Sequence, residues 1–194
     1  MGSVIVAQSI SLDGFSAGVN DGPANGLGDN GGTLHEWFIA NATPESAIVM
    51  EAFWSRVGAV ILGRRMFDNG IGYWGKTNPW PLPAFVLTHE LFDFPVPAGD
   101  SPFTFVTDGI DSALALAREA AGEKAVAIAG GANTIQQYLR AGLIDELNLH
   151  LVPVLLGDGV RFFDRAGAAP IRFEAAGLSE TPGATHIRYG IPKN

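Results

Sequence analysis

The chain contains no cysteine. Disulfides, thiolate metal sites and cysteine nucleophiles are therefore excluded, and the redox compartment is left open. Charge is scarce as well. Charged residues make up 16% of the chain, and 12 Lys and Arg face 20 Asp and Glu, for a formal net charge of −8. That balance argues against generic binding to nucleic acid or to an anionic membrane and leaves room only for a local basic pocket. No apolar run is long enough to span a bilayer. A first strand expected from Val4 leaves no space for a secretory leader, so the sequence predicts a soluble, cytoplasmic protein. No repeat, linker or low-complexity tail is visible.

What remains is apolar and rich in glycine. Hydrophobic residues reach 47%, and 25 of the 194 residues are glycine. This suffices for the core of one domain spanning 1–194. The stretch Val126 to Thr134 organises the reading. Val126 to Ala129 is a short apolar run, as expected of a strand covered on both faces. From Ala132, apolar residues recur at Ile135, Leu139 and Leu143, which is helical spacing. Gly130 and Gly131 therefore stand between a strand end and a helix start. Missing side chains let a ligand approach the backbone, and first-turn N–H groups favour an anion such as phosphate. A tight turn that needs glycine only for its dihedrals explains the same pair.

Along the chain, Val4 to Ile10 reads as a strand. Asp13 to Thr33 follows, with seven glycines among Asn and Asp, a composition that suits neither helix nor strand. A loop of that length is either functional, such as a lid, or a mobile insertion. Leu34 to Ile39 suggests a short helical turn carrying His35. Thr43 is a good N-cap and Pro44 a good first helical residue, with Ala47, Met50, Phe53, Trp54 and Val57 as the buried face. Ala59 to Leu62 is a second buried strand, ending in Gly63-Arg64-Arg65. Asn69 to Pro83 is a loop rich in Gly, Trp and Pro, where Trp74 either stacks on a planar ligand or covers the core. Ala84 to Leu87 ends at Thr88-His89, Phe103 to Thr107 is a fourth strand, and Ser112 to Ala121 is a helix capped by Asp111 and closed by Gly122. Glu146 to Val152 alternates as a strand does. Ile171 to Ala175 and Thr185 to Ile191 look like an antiparallel pair joined through Thr181-Pro182-Gly183. Strand–helix units first and strands last predict an α/β three-layer sandwich, with a mostly parallel central sheet and antiparallel edge strands. Gly63, Thr88 and Gly130 each end a strand, where open α/β sheets place their ligands.

Ser11-Leu12-Asp13-Gly14, Ile61 to Phe67, Val86 to His89, Ile128 to Ala132 and Leu143 to Leu147 running on to Gly157-Asp158-Gly159 occur in one order over nearly the whole chain. In that ordered set the chain resembles the dihydrofolate reductase superfamily, in the branch of the C-terminal reductase domain of the riboflavin-biosynthesis deaminase-reductase. The resemblance implies an NADPH site. Gly63, Arg64 and Arg65 would meet its phosphates, Thr88 and His89 would flank the adenosine 2′-phosphate, and Gly130, Gly131, Ala132, Asn133 and Thr134 would cradle the pyrophosphate and nicotinamide side. The loop from Asp13 to Thr33 would be the family's mobile loop beside the nicotinamide. Catalytic carboxylates would be Glu45, near the start of the following helix, or Asp13. A first-turn position and an Asp-Gly turn explain these two residues equally well. Trp74 would contact substrate.

The expected function is an NADPH-dependent oxidoreductase, similar to the 5-amino-6-(5-phosphoribosylamino)uracil reductase, that transfers hydride to a C=N or C=O bond of a small pterin- or pyrimidine-like substrate. It would act as a homodimer, without metal, nucleic acid or membrane. A cytidine-type deaminase partner domain is excluded within this chain by the missing cysteines. Two alternatives stand: a catalytically silent dinucleotide-binding module, and a carrier of flavin or another phosphate ligand. His35 beside the loop is either a proton donor or solvated. His150, opposite the leucine face of its strand, is expected to pack.

Overall fold

The computed structural model describes residues 2–75, 78–90, 103–164 and 170–192. Among the described residues, eight strands form one sheet. They are β1 (Val4–Ser11), β3 (Val57–Gly63), β4 (Ala84–Leu87), β5 (Phe103–Val106), β6 (Ala125–Gly130), β7 (Glu146–Val152), β9 (Glu174–Thr181) and β10 (Ala184–Gly190), in the order β5-β4-β3-β6-β1-β7-β10-β9. Strands β5 through β7 in that order pair in parallel, and β10 is antiparallel to both its neighbours. Two short strands, β2 (Phe15–Ala17) and β8 (Val160–Arg161), pair apart from the main sheet.

Helices α1 (Pro44–Trp54) and α2 (Arg64–Gly70) cover one face of the sheet, and α3 (Ile110–Ala121) and α4 (Ala132–Arg140) the other. Alternate residues of β1 feed the two cores: Val4 and Val6 join α3 and α4, while Ile5 joins Phe53 of α1 and Phe67 of α2. This is the three-layer sandwich that the strand–helix order predicts, because parallel strands need helical crossovers and bury both faces. The antiparallel part is likewise at the edge.

Local chemistry sets most boundaries. Thr43 caps α1 in a reciprocal capping box with Ser46, and Pro44 is its first residue. The helix stops at Trp54, so Val57 opens β3 instead of closing the helix, and Ala47 is exposed. Gly109, at φ 89°, caps α3 in place of Asp111, which lies inside its first turn. The final hairpin turns through Pro182 and Gly183, with Gly183 at φ 87°, so its strands run 174–181 and 184–190 and not 171–175 and 185–191. In the expected loop from Asn69 to Pro83, α2 continues to Gly70, and residues 76 and 77 lie outside the described ones. Among the described residues no helix is long and apolar enough to cross a membrane.

Candidate functional site

Three strand ends meet at one rim of the sheet. Leu62 is in register with Gly130, and Gly63 with Leu87, so the Gly63, Thr88 and Gly130 termini are neighbours. Backbone, not side chain, forms this rim. A Cβ on Gly63 would fall on the hydroxyl of Thr134, a buried residue in the first turn of α4. Gly130 has φ 132°, and its Cβ would lie 3.2 Å from the Met66 sulfur. Only glycine suits such a position. Gly131 differs: its φ of −70° is ordinary and its Cβ would meet no atom within 4 Å. Space therefore stands open above the turn. Gly131 is also the N-cap of α4 and offers no side-chain cap to the first-turn N–H groups.

The two arginines of this rim are both engaged with carboxylates. Arg64 Nε donates to both oxygens of Asp68 at 2.7 and 2.9 Å. Arg65 donates from Nε and Nη2 to Asp21 of the long loop, at 2.8 and 2.5 Å. Thr88 is half-buried and its hydroxyl donates to the Glu90 carbonyl at 2.9 Å, while His89 is exposed. Asn133 is exposed and its side-chain oxygen accepts from Gln137. Ala132 is buried beneath the turn.

The two carboxylates expected to be catalytic hold local structure. Asp13 accepts from the Ser11 hydroxyl at 2.5 Å and from the backbone N–H groups of Leu156 and Gly157 at 3.2 and 2.7 Å. It thereby ties the end of β1 to the turn after β7. The Ser11 bond first, then the two N–H groups, keep its carboxyl below the usual range. Glu45 is exposed in the first turn of α1, and its own N–H and the Thr43 hydroxyl likewise hold it low. Trp74 lies against Gly70, edge-on to Trp80 at 5.4 Å and stacked on Phe103 at 6.4 Å, so packing takes up its ring.

Tertiary structure also assembles a cluster that the sequence gives no means of finding. His150 of β7 and His186 of β10 are register partners and both buried, with Nδ1 to Nδ1 at 2.8 Å. His186 Nε2 lies 2.9 Å from the Thr181 hydroxyl. Trp37 packs on both rings at 4.8 and 4.7 Å and donates from Nε1 to the buried Ser9 hydroxyl at 3.1 Å. Burial, then the nearby His186 and His35, pushes His150 down to about 3, and burial alone pushes His35 down to about 4. His35 is half-buried, with its ring 5.1 Å from Phe38, and stays neutral near pH 7. His150 packs, as its place opposite the leucines suggested. Among the described residues no group of three or more His, Asp or Glu is placed to hold a metal ion.

The long loop is folded. Gly18 N–H donates to the Leu27 carbonyl and Asp29 N–H to that of Val19, closing residues 18–31 on themselves. Asn20 and Asn25 both donate to the Asp29 carboxylate, at 2.7 and 2.8 Å. The loop lies on α2 and the turn after it, touching Arg65, Asn69 and Tyr73.

Comparison with known proteins agrees with this architecture. The profile of the RibD C-terminal domain matches residues 3–187. In Bacillus subtilis (strain 168), the uncharacterised protein YyaP is 25% identical over 173 residues, covering 82% of this chain and 79% of that protein. YwjB of the same organism, also uncharacterised, is 28% identical over 117 residues, 57% of this chain and 61% of its own length. The chain thus spans less than two thirds of YwjB. Among solved structures, the "Putative riboflavin biosynthesis protein" of Shewanella sp. PV-4 superposes with a TM-score of 0.73 at 25% identity, covering 98% of this chain and 99% of that one. Dihydrofolate reductase of Enterococcus faecalis, complexed with NADP(H) and RAB-propyl, gives 0.58 at 16% identity over 99% and 98% of the two chains, which speaks for the fold alone. With a family match over nearly its whole length and a dihydrofolate reductase-like sheet beneath it, the chain belongs to the RibD C-terminal domain family.

Proposed function

We propose that the chain is a reductase that binds NADPH at the rim formed by Gly63, Thr88 and Gly130 and reduces a C=N or C=O bond of a small pyrimidine- or pterin-like substrate. The observation that carries this reading is the open space above Gly131, beside Gly63, where a Cβ would fall on the Thr134 hydroxyl, and Gly130, whose φ of 132° suits glycine. Such a turn suits a pyrophosphate lying on backbone N–H groups. Family membership supports it, as does the NADP(H)-bound dihydrofolate reductase on the same fold.

In this reading Gly130, Gly131, Ala132, Asn133 and Thr134 hold the pyrophosphate and the nicotinamide side, and Gly63, Arg64, Thr88 and His89 the adenosine-phosphate end. When bound, the nicotinamide supplies the hydride. The chain's own residues orient the reactants, and the folded loop over α2 excludes water. Asp13 and Glu45 are both held ionised, the opposite of what a proton donor needs near neutral pH, so Asp13 is assigned to fixing the loop after β7 and Glu45 to the start of α1.

Titration of the protein with NADPH and NADH, followed by quenching of its four tryptophans, tests the site. Saturable binding with NADPH preferred is expected, and Arg64→Ala should weaken NADPH more than NADH. Absence of binding by either dinucleotide would remove this reading.

A further inference from the structure

Strand β1 turns an apolar stripe toward α3 and α4, and one residue breaks it. Val4, Val6 and Ile10 are buried in that core beside Ile135, Tyr138 and Leu139 of α4. Gln8 holds the position between Val6 and Ile10, on the same side of the strand by the two-residue repeat. It is half-buried, and an amide in an apolar stripe costs free energy unless its polar atoms are satisfied. One end of this amide is satisfied: Gln8 Nε2 donates to the Ser9 carbonyl at 3.1 Å. Among the described residues no donor meets Oε1, and that oxygen is not sealed from solvent. The bond at Nε2 also fixes the direction of the amide, since the reverse would set two carbonyl oxygens against each other.

The open oxygen lies at the rim of the sheet. Val6 is in register with Ile128, so two residues further on Gln8 comes level with Gly130. Its Oε1 is 3.8 Å from the point where a Gly130 Cβ would stand, and the Met66 sulfur is 3.2 Å from the same point. The strand order β4-β3-β6-β1 therefore sets Thr88, Gly63, Gly130 and Gln8 in a row. Three strand spacings of about 4.8 Å put Gln8 about 14 Å from the Thr88 end. In the dinucleotide reading, Thr88 and Gly63 take the adenosine-phosphate end and the turn at Gly131 takes the pyrophosphate. The half that remains, over β1, is the nicotinamide riboside. Chemistry agrees with that order. An amide oxygen accepts and cannot donate, so it repels phosphate oxygens and attracts N–H or O–H.

Resting on that reading, we propose that Gln8 is a dinucleotide-binding residue whose Oε1 accepts a hydrogen bond from the nicotinamide riboside half, given by the carboxamide N–H or by a ribose hydroxyl. The bond ties the reacting end of the cofactor to β1, an interior strand, and the Ser9 carbonyl holds the amide in the direction that makes it. It also explains the broken stripe. An apolar side chain of similar length would pack between Val6 and Ile10 at least as well in the free protein, but it would leave the bound donor without an acceptor. The contact belongs to the nicotinamide half alone, so it favours the whole dinucleotide over its adenosine fragment.

Gln8→Met tests it, being close to glutamine in length and apolar like its neighbours. NADPH binding is followed by tryptophan quenching, and binding of adenosine 2′,5′-bisphosphate, the adenosine fragment, by calorimetry. NADPH should bind about five- to tenfold more weakly to the variant, the bisphosphate equally to both proteins, and the thermal midpoint should stay at or above that of the parent. Gln8→Leu should show the same split, so the outcome does not hang on one variant folding. The NADPH analogue with an acetyl group in place of the carboxamide locates the donor. If Gln8→Met leaves the affinity for this analogue unchanged, the donor is the carboxamide N–H; if it weakens the analogue as much as NADPH, the donor is a ribose hydroxyl. Equal NADPH affinity in parent and variants overturns the role of Gln8 and leaves the dinucleotide site standing. Weakening of NADPH and the bisphosphate by the same factor overturns it as well, because the substitution has then disturbed the whole rim. NADPH binding to none of the proteins removes the dinucleotide reading and the role of Gln8 with it.

Discussion

Gly63 ends β3 beside the turn at Gly130 and Gly131 that leads from β6 into α4, and Gly63 and Gly131 respond to an added side chain in opposite ways. Gly131→Leu should leave the thermal midpoint within a few degrees of the parent, because its Cβ meets nothing within 4 Å. It should weaken NADPH by more than about tenfold by filling the space where the pyrophosphate would lie. Gly63→Ala should do the reverse and destabilise the fold by about 1–3 kcal/mol, since the Thr134 hydroxyl must be displaced. Calorimetry beside dinucleotide titration separates the two effects, and equal losses in both variants would contradict the assignment. The buried histidines carry a pH signature. His150 and His186 are both pushed below their ordinary value, chiefly by burial. The folded state therefore resists a proton that the unfolded chain accepts near 6.5. Stability should be full above pH 6.5 and fall as pH drops from there toward about 3, with a slope of up to about 1.4 kcal/mol per pH unit for His150 alone. Chemical denaturation of the parent and of His150→Gln between pH 7 and 4 would show it as a shallower slope in the variant.

Elements were legible where their chemistry is local. The N-cap of α1 is read directly from Thr43-Pro44, and Thr43→Ala should cost about 1 kcal/mol in denaturant unfolding, with little effect on dinucleotide binding. Strand β4 and strand β7 match their expected bounds, Ala84 to Leu87 and Glu146 to Val152, because short apolar or alternating runs bounded by breakers leave no choice. The loop of residues 13–33 was not legible. Its composition argued against helix and strand, yet it opens in strand β2 and closes in a 3-10 turn over Gly31–His35, because pairing with β8 and tertiary packing override local propensity. That composition was silent on whether the rest would be mobile or folded. The answer lay in the bonds of Asp21 to Asn69 and of Ala24 to Tyr73, partners more than forty positions apart that meet only when the loop lies on α2.

The edge strands of the sheet are β5 and β9. Strand β9 is an edge strand whose middle, Ala175 to Leu178, carries no charge, and Leu178 is 70% exposed. Such an edge is rarely left bare. Strand β7, by contrast, is interior, with β1 and β10 on either side. If the chain is the homodimer that its resemblance implies, β9 is the surface offered. Light scattering should then show a dimer for the parent and a monomer for Leu178→Lys, and a monomeric parent would end the idea.

Over the whole molecule, the class of fold follows from the order of residues along the chain. The succession of apolar runs and helical stripes, with glycine at the strand ends, is enough to demand parallel strands under two helical layers, since each run must bury its apolar side. It also marked the rim at Gly63, Thr88 and Gly130, because backbone freedom and missing side chains are properties of single residues. Tertiary structure alone decided which polar groups meet. His150 and His186 touch because two strands 36 residues apart pair in one register. Asp13 became an anchor because Leu156 and Gly157, more than 140 residues away, present their N–H groups to it. Arg65, a phosphate candidate in the sequence, meets the carboxylate of Asp21 from the long loop, 44 residues away. Hydrophobic burial is nearly additive along the chain and can be read from it, whereas a hydrogen bond or ion pair depends on directions and distances that exist only once the chain has closed.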